Sequence, residues 1–168
     1  VACVDVGDPV ELKIAVVPPV PDPTKTTRER FAAHSTIGCS GCHDRIDNFG
    51  FAFEGFDGMG RSRTQDNGKP VDTSVVVAGT DFDGNYPDSN ALVKAMSTSN
   101  QVRECFARHV FRALSATSAP ELRPSEDDFV TYWKSSLGAN GTPVTDVKII
   151  DTISAFIESP GFAFRRGQ

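Results

Sequence analysis

The sequence of 168 residues has no run of about 18 apolar residues, the length a membrane-spanning helix needs, so no segment is expected to cross a bilayer. It also has no basic excess: 17 Lys and Arg stand against 22 Asp and Glu, a formal charge of −5. Nucleic acid requires a basic face and is excluded as a partner, whereas a protein with a positive patch suits this charge. Tyr and Trp are scarce, at 2 and 1, against 12 Phe. Phe is the ring that lines an apolar cofactor, or an ordinary core, without bringing a polar atom that needs a partner. The start, Val1-Ala2-Cys3-Val4, lacks the charged and apolar regions of a signal peptide and reads as a processed or truncated end. No Ser-His-Asp order, phosphate loop or glycosidase-type carboxylate pair stands out.

Cysteine and histidine are few, at four and three, and three of the seven fall in one pentapeptide: Cys39-Ser40-Gly41-Cys42-His43. This is the C-x-x-C-H pattern of covalent haem attachment. Two thiols one helical turn apart add across the vinyl groups on one porphyrin edge, and the adjacent imidazole lies beneath the iron as proximal ligand. A thioredoxin-like pair would follow a strand in a βαβ context, which is missing. Half of a zinc site would need a second Cys/His pair at ligand spacing. One covalent haem c per chain is therefore expected. Cys3 and Cys105 remain, and because such haem is attached outside the cytoplasm, where thiols oxidise, they are expected either to form a disulfide or to stand as separate thiols.

The expected fold is mainly α: a cytochrome c-like haem-binding region with a short β-hairpin, packed on a C-terminal helical bundle. Residues 1–25, with Pro18-Pro19 and Pro21-Asp22-Pro23, read as an extended arm. The haem-binding region spans 26–84 and the helical region 85–168. Thr26 caps a first helix with Glu29 closing a capping box, and that helix is expected to run through Phe31 and His34 to about Gly38. In residues 44–63, alternating Phe49, Phe51 and Phe53 among Gly50, Gly55, Gly58 and Gly60 read as a Gly-hinged wrap against the porphyrin. Asp66-Asn67-Gly68 is a turn and Val75–Val77 a buried strand. Helices are expected from Ser89, from about Asn100 to Ala116, from a cap at Ser125 to Gly138, and from Thr145 with Val147, Ile150, Ile153 and Ile157 on one face. Asp81-Phe82-Asp83-Gly84-Asn85 resembles a calcium loop, but Leu92 stands where the closing carboxylate belongs, so a polar turn is the better reading.

Thr27-Arg28-Glu29-Arg30, His34, Cys39-x-x-Cys42-His43, Ile46-Asp47, Gly50-Phe51-Ala52, Glu54-Gly55-Phe56-Asp57 and Gly60-Arg61 together resemble a haem-motif module of large secreted bacterial proteins, catalogued as a domain of unknown function. A second uncharacterised C-terminal domain usually follows it. Gly68-Lys69-Pro70-Val71-Asp72, Phe82-Asp83-Gly84, Cys105 and Phe156-Ile157-Glu158-Ser159-Pro160-Gly161-Phe162 look like that partner, so the likeness spans roughly residues 16–166. Asn48 stands where the family often has Pro, and the stretch after Leu114 lacks its usual Gly-Arg. The resemblance implies a c-type cytochrome module outside the cytoplasm (periplasmic, at the cell surface or secreted), with possible upstream domains or an oligomer.

The ligand opposite His43 decides the chemistry, since iron held on both faces transfers electrons and iron open on one face binds peroxide or small ligands. His34 is the first candidate: four intervening residues span up to about 14 Å, and the resembled family carries a His there. Met59 within the wrap, His109 on the stripe Val102, Phe106, Val110 and Ala113, and Met96 are the others. Arg61 and Arg63, or Arg28 and Arg30, are candidate propionate ligands. The expected function is electron transfer by a monohaem c-type cytochrome, with a redox protein or neighbouring haem subunits as partner. A haem peroxidase or oxygenase with an open distal face, and a binding domain in which haem fills the core, are the alternatives.

Overall fold

In a computed structural model of the chain the residues described are 2–4, 19–32, 39–115, 123–138 and 147–163. The chain divides into two compact units: Val4–Ser97, and Thr98–Gln168 together with Val1–Cys3. Helices dominate, with two small antiparallel sheets. No described helix is long and apolar enough to cross a membrane.

The first unit opens with α1 (Thr27–Phe31), capped as its sequence requires: Thr26 accepts from the Glu29 N–H, and the Glu29 carboxylate accepts from the Thr26 N–H. Helix α2 (Ser40–Phe51) carries the haem-type motif at its start. The strands β1 (Gln65–Asp66) and β2 (Lys69–Pro70) follow. They are joined at Asn67 and Gly68, whose φ values of 51° and 77° are the left-handed pair a two-residue hairpin turn demands. Strands β3 (Val75–Val77) and β4 (Gly84–Tyr86) pair in register Val76 to Asn85, with Val75 and Val77 buried and Val76 outward. Between them Asp83 accepts from the Thr80 N–H and hydroxyl, so the calcium-like stretch is a polar turn. Helix α3 (Ser89–Thr98) ends the unit, which places the division at 97/98 instead of at 84. Asp66 ties α1 to β1, accepting from the Thr27 N–H and hydroxyl and from Arg63.

One expectation for this unit is corrected. The helix through residues 44–51 is continuous, so the Gly-hinged wrap does not begin at Asp44; Gly50 is helical, and tight turns start only at Ala52. A single Gly weakens a helix by about 1 kcal/mol, too little to stop one whose neighbours pack. The course of residues 33–38 and 5–18, and with it the expected length of the first helix and of the arm, lies outside the described residues.

In the second unit α4 (Asn100–Leu114), α5 (Arg123–Gly138) and α6 (Ile149–Glu158) pack on one another, and a short α7 (Pro160–Ala163) follows. Phe111, Phe129 and Phe156, one from each long helix, meet with ring centroids 5.6 to 5.8 Å apart. Trp133 is fully buried beside them and its indole N–H donates to Thr152 Oγ1 at 3.1 Å. The apolar stripe of the last helix is not its buried face: Thr152, Ala155 and Phe156 are buried, Ile150 and Ile157 are exposed, and Val147 packs against the core from outside the helix. Helix α6 starts at Ile149, not Thr145, and α5 starts at Arg123, so Ser125 lies inside it. Helix α4 is also turned from expectation, burying Cys105, Ala107 and Phe111 while His109 is exposed. Cys3 and Cys105 form a disulfide with Cα atoms 5.4 Å apart, and Gln101 donates to the Ala2 carbonyl nearby.

Glu126 is a buried carboxylate at the start of α5, clamped by both nitrogens of the Arg112 fork at 2.7 and 2.9 Å and by Arg108 at 3.1 Å. Burial alone would raise its pKa, but the hydrogen bonds and charges of the two arginines outweigh it and hold the carboxyl below the ordinary 4.5. The unfolded chain thus takes up a proton first. The stability Glu126 supplies is complete above about pH 4.5 and disappears as pH falls through the lower folded-state value. Urea unfolding of Glu126→Gln is expected to show a flatter acid limb than the parent, and Glu126→Ala a loss of about 2 kcal/mol at neutral pH, between surface and buried pairs. Parallel acid limbs in parent and Glu126→Gln would contradict this.

Candidate functional site

Cys39 takes the N-cap position of α2, and its carbonyl accepts from the N–H of Cys42 at 3.3 Å and of His43 at 3.1 Å. This closes one turn and fixes the spacing of both sulfurs and the imidazole on a rigid element. Neither Cys39 nor Cys42 is in a disulfide. At about 100° per residue, Cys39, Cys42, His43, Ile46 and Gly50 fall within an arc of about 100°.

Within that arc Ile46 and Gly50 are exposed, and Cys39, Cys42 and His43 are part-buried. Helix α2 buries none of its twelve residues, and Ile46, one turn beyond the motif, is 45% exposed. A Cβ added at Gly50, which lies in the arc, would meet nothing within 4 Å among the described residues. Two ring contacts flank the arc, with Phe49 about 20° from Cys42 and Phe51 about 80° from His43. Phe49 meets Phe82 edge-on at 6.1 Å, and Phe51 meets Phe31 at 6.3 Å with the Arg28 guanidinium 4.5 Å over its ring. A cleft of about 500 Å³ lined by Arg28, Asn48, Val76 and Tyr86 lies on a different side of α2, since Asn48 is about 140° round the helix from His43.

His43 Nδ1 lies 3.0 Å from Asp47 Oδ1, one turn along α2. A carboxylate there favours the Nδ1–H tautomer, in which Nε2 is the nitrogen that would ligate a metal, as in carboxylate–histidine–metal arrangements. Sequence reasoning missed Asp47. The i, i+4 spacing from His43 was the available signal, hidden because the segment was read as a wrap and not as helix.

The remaining candidates are spread. His34 lies outside the described residues. Phe49 and Phe51 make the two ring contacts of α2, and Phe53 is half-exposed on the turn after it. Met59 is 82% exposed on a turn that Asp57 organises, accepting from the N–H groups of Met59 and Arg61. The Arg61 N–H bond leads the causes that keep the Asp57 carboxyl below its usual range. Arg61 pairs with Asp57, and Arg63 with Glu54 and Asp66, so neither acidic residue beside the motif is placed as an isolated acid–base group. Arg28 donates to the carbonyls of Asp72 and Ser74, and Arg30 to Thr27 Oγ1, while the Nε atoms of Arg28 and Arg30 are buried with no hydrogen-bond partner among the described residues. Met96 is half-buried in α3, and His109 belongs to the other unit, beside the disulfide.

The family profile PSCyt3, described as a protein of unknown function (DUF1588), matches residues 1–66. The chain is similar to that family across this stretch, which contains α1, α2 and the whole motif but less than half of the sequence. No curated protein and no solved structure matches.

The residues present fit a covalently held haem. Two sulfurs one turn apart and an imidazole with a carboxylate at its Nδ1 start a helix face on which Ile46 and Gly50 are exposed among the described residues.

Proposed function

We propose that this chain is an extracytoplasmic monohaem c-type cytochrome module that transfers electrons, with haem c bound through Cys39 and Cys42 and His43 as proximal ligand. One observation carries the reading: C-x-x-C-H opens a well-formed helix whose first turn is closed at Cys39, with Asp47 one turn on against His43 Nδ1. Haem would supply a one-electron iron couple. The chain's own residues fix the geometry. The closed turn at Cys39 keeps the two thiols one helical turn apart, Asp47 would orient His43, and Ile46 and Gly50, both exposed, would face the porphyrin. The Cys3–Cys105 disulfide and the absence of any spanning helix among the described residues suit a location outside the cytoplasm. Partners in this reading are a redox protein or neighbouring haem subunits.

The test is secretion of the chain by a bacterial host that matures c-type cytochromes. The expected product carries the added mass of one haem, retains it under denaturing conditions and shows a Soret band; Cys39→Ser/Cys42→Ser loses all three. Secreted wild type weighing only its amino acids would end the proposal.

Asp47 favours a second reading, a haem peroxidase or oxygenase open on the distal side, because a carboxylate raises the basicity of the proximal imidazole. Carbon monoxide separates the two, since iron held on both faces ignores it and open iron binds it. Under either reading Asp47→Asn keeps an acceptor for the Nδ1–H but removes the charge that favours ferric iron. Second-shell changes of 10–100-fold, at 59 mV per decade for one electron, predict a midpoint potential about 60–120 mV higher. Redox titration checks this, and an unchanged potential would remove Asp47 from the iron's electronics.

A further inference from the structure

We propose that Cys3, Cys105 and His109 form a reduction-gated binding site for a zinc ion. Cys105 and His109 are four residues apart on α4 and share one of its faces. The chain start brings Cys3 to the same place, with Cys3 Sγ 3.9 Å from His109 Nε2. All three ligand atoms lie within 4.8 Å of one another. Tetrahedral zinc, with sulfur at about 2.3 Å and nitrogen at about 2.0–2.1 Å, sets such atoms about 3.6–3.8 Å apart. The imidazole therefore already stands at the separation from sulfur that zinc requires.

In the disulfide the sulfurs have no thiolate to offer, and the site is closed. A dithiol reductant opens it: the S–S bond accepts two electrons and two protons to give two thiols, while the dithiol becomes its own disulfide. Zinc then displaces both thiol protons and binds the thiolates and the neutral imidazole. Cys105 is fixed in the core, whereas Cys3 is exposed beside the chain start and is the sulfur that can shift. Exposure of Cys3 and His109 leaves solvent to fill the fourth position.

The proposal is independent of haem, because the motif sulfurs are different ones in the other unit. Those sulfurs with His43 would also take zinc in a haem-free chain, so the full-length protein is used with Cys39→Ser/Cys42→Ser. It is reduced with a phosphine, desalted without air and titrated with zinc against a chromophoric chelator, with cobalt as a second probe for thiolate charge-transfer absorption. The expected result is one equivalent bound after reduction, none before it, and affinity at least about tenfold weaker in His109→Gln, which keeps the disulfide and alters an exposed side chain. Reduced protein that binds no stoichiometric zinc, or binds it equally well in His109→Gln, overturns the site. Should reduction unfold the chain, zinc must restore its thermal transition, and failure to do so overturns the proposal equally.

Discussion

Replacing Cys3 by Ser and Cys105 by Ala together is expected to lower the stability of the C-terminal unit by about 4–5 kcal/mol, the chain-entropy value for so long a loop. The two residues are 102 apart in sequence, so the bond restricts nearly two-thirds of the unfolded chain. What it secures in the folded state is small by comparison: a terminal tripeptide and the Gln101 bond to the Ala2 carbonyl. The entropic term must therefore dominate, and the loss should exceed what any single contact of Ala2 or Cys3 explains. Trp133, the one tryptophan, is buried in this unit and reports its unfolding by fluorescence. The urea midpoint should fall and the m-value rise, because the unbridged unfolded chain exposes more surface. Wild type reduced by a phosphine without added metal should match the double variant. Coincident unfolding curves of variant and oxidised parent would show that the bridge constrains nothing.

How much of this was legible in the sequence depended on whether a signal was local. The Thr26 to Glu29 box, the Asn67-Gly68 turn and the Val75–Val77 strand each depend on residues within a few positions, and each forms as read. So does the spacing of Cys39, Cys42 and His43 on one turn. The orientation of α6 was not legible, because two faces compete: Ile149, Ile150, Ile153 and Ile157 make an apolar stripe as good as any. The choice is made elsewhere, by the Trp133 indole reaching Thr152 and by Phe156 closing the ring cluster. The same holds for α4, where the disulfide draws Cys105 inward and leaves His109 outside the expected stripe. In the candidate site the alternating phenylalanines suggested an extended wrap, yet period 3.6 places Phe49 and Phe51 on separate ring contacts. Once residues 44–51 are helical, Asp47 beneath His43 follows from spacing alone.

The chain with Cys39→Ser and Cys42→Ser is expected to keep its C-terminal unit and to lose protection in the other. The reason is the distribution of core. The unit from Thr98 onward buries Phe111, Phe129, Val130, Trp133 and Phe156, together with the disulfide. Among the described residues of 4–97, the buried apolar side chains are Ala52, Val75, Val77, Phe82 and Leu92, while Ile46, Phe53 and Phe56 are nearly half-exposed. A haem on α2, as proposed, would add an apolar body to these side chains, as metals do in small metal-dependent domains. Covering two half-exposed side chains of this size contributes about 2–3 kcal/mol, which is roughly a 30- to 150-fold change in a local opening constant. Hydrogen exchange followed by peptide mass analysis should show α2 and the β3–β4 hairpin exchanging faster by that factor in the haem-free variant, with α4, α5 and α6 unchanged. The comparison must be made against haem-loaded wild type, so that the added group is the difference. Equal protection of α2 with and without haem would mean that haem covers nothing on this helix, and attachment along its motif face would be overturned.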